Sequence, residues 1–131
     1  MTISNQPAAP SRRVLVVDDE SSIIELLQNL LEDEGYEVVT ASNGREGLAQ
    51  LARHPVDLVL CDIMMPFVNG LQMCQAMRRG ESAFRYIPLV FMSAAGPPAA
   101  GHGCDYAAFI YKPFNLDHLF DLIARFAVSA G

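Results

Sequence analysis

Val59-Leu60-Cys61-Asp62-Ile63-Met64-Met65-Pro66 is the stretch whose reading decides the fold. Leu58 to Cys61 is an unbroken apolar run and reads as a strand covered on both faces. It stops at the carboxylate of Asp62, and Pro66 ends any continuation soon after. A carboxylate at the exit of a buried strand lies at the rim of a sheet, where open α/β proteins place their ligands. Val14-Leu15-Val16-Val17 ends in the same way, at Asp18-Asp19-Glu20. Two such strands gather negative charge at one rim, and that cluster is strained unless a cation enters it.

Working outward, Arg13 to Val17 is strand one. Helix one follows, with Glu20-Ser21-Ser22 offering caps and first-turn charge and Ile23, Leu26, Leu27, Leu30 and Leu31 at helical spacing. Gly35 stands at its C-terminal end. Tyr36 to Thr40 is strand two. Asn43-Gly44 opens helix two, which stops before Pro55. Val56 to Cys61 is strand three, and Asn69-Gly70 closes the loop that leads into helix three. Ile87 to Met92 is strand four, with Pro88 among its first positions and Ser93 at its end. Phe109 to Tyr111 centres strand five, which Lys112-Pro113 ends. Asn115 caps a last helix whose apolar stripe is Leu116, Leu119, Phe120, Ile123 and Phe126.

Strands alternating with helices predict an α/β domain: a doubly wound, five-stranded parallel sheet with helices on both faces. Right-handed crossovers favour the flavodoxin-like strand order 2-1-3-4-5. Strands one and three are then neighbours, and Asp18, Asp19 and Asp62 share one crevice.

The length of 131 residues suits one domain, read here as residues 12–131 behind a flexible leader at residues 1–11. A hydrophobic content of 51% supports a packed core. The net charge of −6 argues against a nucleic-acid surface, and no apolar run is long enough to span a bilayer. The leader has no apolar centre and does not read as a secretory signal. Cys61, Cys74 and Cys104 are an odd count without paired spacing and read as reduced thiols of a cytoplasmic protein, not as a disulfide frame or metal site. His54, His102 and His118 are scattered, without ligand spacing.

Oxygen ligands alone favour Mg²⁺, which keeps waters and accepts phosphate oxygens. An Asp beside that ion is placed to attack a phosphoryl donor in line and become an acyl phosphate. Ser93, at the end of strand four, offers a hydroxyl to a phosphate oxygen. Lys112, at the end of strand five, offers a compact positive charge. Taken singly, each has a plainer reading: Asp18 and Asp19 as helix caps, Ser93 as a turn residue, Lys112 as a surface charge and Phe109 as core. It is their joint placement at strand ends that makes a phosphoacceptor set.

The chain resembles the receiver domain of two-component response regulators, of the CheY-like superfamily. The resemblance rests on Val14 to Glu20, on Asp62-Ile63-Met64-Met65-Pro66-Phe67-Val68-Asn69-Gly70, on Ser93-Ala94 and on Lys112-Pro113-Phe114. It implies that Asp62 is the phosphoacceptor. Asp19, Asp62 and the backbone carbonyl of Met64 would bind Mg²⁺, with Asp18 acting through a water. Ser93 takes the switch hydroxyl position and Phe109 the aromatic switch position, and the Lys112-Pro113 peptide would be cis. The implied partners are a sensor histidine kinase or histidine phosphotransfer protein and an unidentified downstream protein, with the domain a monomer or weak homodimer. Slow self-dephosphorylation is implied, but no enzyme activity in the usual sense.

The span from Ser93 to Lys112 is shorter than is common in receivers. Its Gly96-Pro97-Pro98 and Gly101-His102-Gly103 segments disfavour helix by about 1 to 3 kcal/mol per Gly or Pro. Helix four is therefore expected to be short, disordered or absent, which removes part of the face through which receivers usually pass the signal on. A receiver-like interaction module that works without phosphorylation is the alternative function. A flavin protein of this topology is excluded because Asp18-Asp19-Glu20 would repel its phosphate.

Overall fold

The computed structural model describes residues 12–79, 83–98 and 103–127. The elements run β1 (Arg13–Val17), α1 (Ser21–Asp33), β2 (Glu37–Ala41), α2 (Gly44–Arg53), β3 (Leu58–Asp62) and α3 (Gly70–Arg79). After a 3-10 turn at Ala83–Tyr86 come β4 (Leu89–Ser93), β5 (Ala108–Tyr111) and α4 (Leu116–Phe126). The five strands form one parallel sheet in the order β2-β1-β3-β4-β5, as the sequence predicts. The leader at residues 1–11 and His102 lie outside the described residues.

Alternation along the central strands divides the core into two layers. Val14, Val16, Leu58, Leu60, Val90 and Met92 face α1 and α4, where Leu27, Leu31, Leu119 and Ile123 meet them. Leu15, Val17, Val59, Cys61, Leu89 and Phe91 face the other way, against Leu51, Met73 and Met77 of α2 and α3. Strands covered on both faces have no polar alternation, which is why β1, β3 and β4 read as continuous apolar runs. Each fully buried Leu or Ile contributes about 1.5–3 kcal/mol.

Helix ends follow local chemistry, with one exception. Asn43 accepts a hydrogen bond from the Glu46 amide, and the Glu46 carboxylate accepts one from Ser42 N–H. Asn69 and Gln72 make the reciprocal pair at the start of α3, and Asn115 caps α4 through the His118 amide. Helix α1 departs from expectation: Glu20 is its N-cap residue but makes no side-chain capping bond, and Glu20 N–H instead donates to Asp18 Oδ1 at 2.9 Å. Gly35, at φ +93°, ends α1 as predicted. Strand β4 begins one residue after Pro88, whose carbonyl accepts from Val59 N–H. On α4, Leu116 is exposed, and Leu122 takes its place in the buried stripe.

Two features of the β4–β5 connection matter for function. Among the described residues no helix forms between these strands, in line with the Gly and Pro content of that span. The reading of all three cysteines as thiols is corrected: Cys74 of α3 is bridged to Cys104, and Cys61 alone is free. The pairing is invisible in sequence because the two residues lie 30 positions apart and meet only when α3 packs beside the start of β5.

Gly70 fixes the geometry of the β3 exit. A Cβ there would run into the backbone carbonyl oxygen of Asp62 and lie 2.9 Å from the Cα of Ile63. The close approach is held by Gly70 N–H donating to Ile63 O at 2.9 Å. Gly70→Ala is expected to destabilise the domain by about 2–4 kcal/mol, because backbone and not a flexible side chain must yield. Urea unfolding measures this, and a loss below about 0.5 kcal/mol would show that the exit relaxes freely.

Candidate functional site

In a parallel sheet all C-terminal strand ends share one rim. Val17 pairs with Cys61, so Asp18 and Asp62 leave neighbouring strands side by side. Asp62 pairs with Met92 and Ser93 with Tyr111, which places Ser93 and Lys112 next along the same rim. The sequence-predicted Asp18, Asp19, Asp62, Ser93 and Lys112 are therefore brought together by register.

One carboxylate oxygen from each of Asp18, Asp19 and Asp62 lies within 4.8 Å of the others. Asp18 and Asp62 are buried and Asp19 is exposed. Lys112 Nζ is 2.6 Å from Asp18 Oδ2, 3.5 Å from Asp62 Oδ2 and 3.6 Å from Glu20 Oε1. The ammonium is thus committed chiefly to Asp18. Burial by itself would lower its pKa, but the Asp18 hydrogen bond and the charges of Asp18, Asp62 and Glu20 raise it. Asp62 is pushed from 3.8 up to about 6 by burial and by the Asp18 charge, against the opposing pull of Lys112 and a hydrogen bond from the Met64 amide.

The Ser93 hydroxyl oxygen accepts from Ala95 N–H at 3.0 Å, which leaves its own hydrogen for donation. Lys112 N–H donates to Ser93 O at 3.1 Å and ties the ends of β4 and β5 together. The Lys112-Pro113 peptide is cis, as the resemblance implies. Met64 is 70% exposed beside the rim. Phe109 is half-buried on the α2–α3 face and meets Tyr111 edge-on, with ring centroids 4.9 Å apart.

The response regulator receiver domain model matches residues 14–124. The chain belongs to this family. It is 38% identical over 122 residues to the CAI-1 autoinducer sensor kinase/phosphatase CqsS of Vibrio cholerae, covering 91% of this chain and 18% of that protein. It is 41% identical over 112 residues to the response regulator Rre1 of Synechocystis, covering 81% of this chain and 47% of that protein. The chain thus spans less than half the length of these curated relatives. Among solved structures, the chemotaxis protein CheY4 of Vibrio cholerae superposes with a TM-score of 0.81 at 31% identity, covering 88% of this chain and 98% of that one. The protein is therefore a receiver domain of two-component signalling, a class of signalling switch.

Receiver domains use Mg²⁺ at their acidic pocket, and the donor set here fits that ion: oxygens of three carboxylates lie within 4.8 Å of one another, and the Lys112 ammonium beside them is spent mainly on Asp18. Three contributors to this receiver's site were missed in the sequence. Glu20 reads as a helix cap but reaches Lys112. The Met64 amide reads as loop but donates to Asp62. Gly70 reads as a turn residue but allows the close approach behind Asp62. Only the last left a signal, the Asn-Gly pair three residues beyond Pro66.

The raised Asp62 pKa has a sign that can be checked. In the unfolded chain the carboxyl titrates near 3.8 and in the folded, metal-free receiver near 6, so between these values the native state holds the extra proton. Ionised Asp62 therefore destabilises the fold at pH 8, and that cost is removed as pH falls through 6 towards 4. In chelator, Asp62→Asn is expected to exceed wild type by about 2–3 kcal/mol at pH 8, with the gap closing towards pH 4. Urea unfolding at both pH values measures it, and a pH-independent gap would mean that the carboxylate is not the source.

Proposed function

We propose that this receiver is a phosphorylation-dependent switch that accepts a phosphoryl group on Asp62. The observation that carries this reading is the placement of a buried carboxylate at the end of β3, 3.5 Å from Lys112 and within reach of the Asp18 and Asp19 oxygens. Asp62 supplies the attacking oxygen. Its lone pair forms the O–P bond while the P–N bond of a phosphohistidine donor breaks, and that electron pair leaves with the imidazole. Lys112 holds positive charge beside the incoming phosphate, and Ser93 donates its hydroxyl hydrogen to a phosphate oxygen. Asp18, Asp19, Asp62 and the backbone carbonyl of Met64 are the groups that would hold Mg²⁺. When bound, the ion supplies charge neutralisation for the phosphate oxygens.

The donor is a sensor histidine kinase or a histidine phosphotransfer protein. An apolar groove of about 320 Å³, lined by Ile23, Leu26, Leu30, Pro113, Phe114 and Leu116, opens beside Lys112 and offers that partner a surface next to the chemistry. Residues 12–131 act as a single cytoplasmic domain, a monomer or weak homodimer, behind the leader at residues 1–11. Ser93 and Phe109 carry the phosphorylated state towards an unidentified downstream protein. No described helix is long and apolar enough to cross a membrane.

Intact mass after incubation with acetyl phosphate tests the assignment. A gain of one phosphoryl group is expected with Mg²⁺, and none with chelator or in Asp62→Asn. Labelling of Asp62→Asn at an unchanged level would remove Asp62 from the role. Absence of labelling by acetyl phosphate and by phosphohistidine donors alike would favour the phosphorylation-independent interaction module.

A further inference from the structure

We propose that Cys74 and Cys104 are a redox-modification site that reversibly fastens the β4–β5 connection to α3. The two residues are bridged, with Cα atoms 5.9 Å apart, and both side chains are buried. The bridge stands in the β4–β5 connection, where no helix forms among the described residues. Arg78, one turn along α3 from Cys74, works on the same spot. Its Nε donates to the Asp105 carbonyl at 2.8 Å, and its Nη1 donates to the carbonyls of Arg85 at 3.0 Å and Ile87 at 2.7 Å. The bridge and the guanidinium together pin residues 104–105 against α3.

The bridge is reversible by virtue of its compartment, a step that rests on the receiver reading above. A receiver fed by a histidine kinase works in a reducing cytosol, where disulfides are rare and those that form are mostly transient and redox-sensing. A cavity of about 390 Å³ is lined by Gln75 and Gly103, the chain neighbours of the two cysteines, and by Arg78 and Arg79. Its two arginines favour the approach of an anionic small thiol. The third cysteine, Cys61, is buried in the sheet and carries no bridge.

The oxidant is a peroxide and the reductant a small thiol. One cysteine thiolate attacks a peroxide oxygen, the O–O bond breaks, and a sulfenic acid and hydroxide result. The second thiolate attacks that sulfur, forming the S–S bond and expelling the second hydroxide. Two electrons pass from the sulfurs to the peroxide, which leaves as two waters once protonated. Two molecules of glutathione reverse the step, becoming glutathione disulfide and returning a hydrogen to each cysteine. Reduction leaves the connection held by the Arg78 bond to Asp105 and by the Tyr106–Phe91 ring contact at 5.0 Å. The surface between α3 and β5 thus has a fastened and a loosened form.

The test uses the full chain, denatured and alkylated with iodoacetamide after treatment with hydrogen peroxide or with reduced glutathione. The reduced chain is expected to take three adducts and the oxidised chain one, at Cys61, with the change repeated over successive cycles. The oxidised form should melt about 10 °C higher. Its Asp105 and Tyr106 amides should exchange more slowly. Cys104→Ser, or Cys74→Ala if that variant folds poorly, should lose both responses to peroxide. A bridge that persists in excess reduced glutathione, a pair that stays reduced in peroxide, or equal melting and exchange in the two forms would each overturn the proposal. Adduct number is independent of Asp62. Loss of phosphorylation with intact redox cycling therefore counts against the switch, and loss of cycling with intact phosphorylation counts against the redox site.

Discussion

Because Val17 lies opposite Cys61 in the parallel pairing of β1 and β3, the next residues of the two strands emerge together. The register thereby forces Asp18 and Asp62 into one crevice, whatever electrostatics would prefer. Two carboxylates less than 5 Å apart repel by about 3–4 kcal/mol at an effective dielectric of 20. Packing of the two apolar layers sets the register, so the charges must be accommodated where the strands leave them. Lys112 meets part of the need. Its contact with Asp18, at 2.6 Å, is shorter than that with Asp62, at 3.5 Å. Asp18 is thereby neutralised in place, and Asp62 keeps an unmet demand for positive charge, which burial sharpens.

That division of labour makes the pocket receptive. Pairing Lys112 equally with both acids would leave a compensated site with little to gain from a cation. Here the residual negative charge, the exposed Asp19 carboxylate and the half-engaged Ser93 hydroxyl are all turned to the same rim. The absence of a Cβ at Gly70 lets the loop after β3 turn back directly beneath the strand exit. Asp62 is held at the mouth of the sheet by this backbone geometry, together with the Met64 amide and Lys112.

The sheet and the pocket were largely legible in the sequence because both arise from strands. Period-two alternation is absent where both faces are buried, so β1, β3 and β4 announce themselves as apolar runs, each ending at a polar group. Handedness then leaves few strand orders, and in the flavodoxin-like one the convergence of Asp18, Asp62, Ser93 and Lys112 follows. What was not legible depends on long-range meetings of side chains with backbone or with each other. Arg78 looks like a charge at a helix end, yet it serves the carbonyls of Asp105, Arg85 and Ile87. Cys74 and Cys104 look like an unpaired remainder, because an odd cysteine count hides a bridge when one thiol lies in the core.

The β4–β5 connection, in which no helix forms among the described residues, shows how the cover a helix gives is supplied otherwise. Phe91 and Phe109 lie on the face of the sheet that such a helix would help to cover. Cys104 is buried over that face and Tyr106 packs against Phe91, so a short extended segment supplies apolar cover that a helix would otherwise give. The substitution is incomplete, since Tyr111 remains 59% exposed at the end of β5. An extended segment also has no internal ladder of hydrogen bonds to hold it, so its order must come from outside. Arg78 and the cysteine bridge provide that order from α3. The residues they hold, 104–105, lead into β5 and Phe109. The same few contacts that supply this cover therefore also tie the approach to β5 to α3.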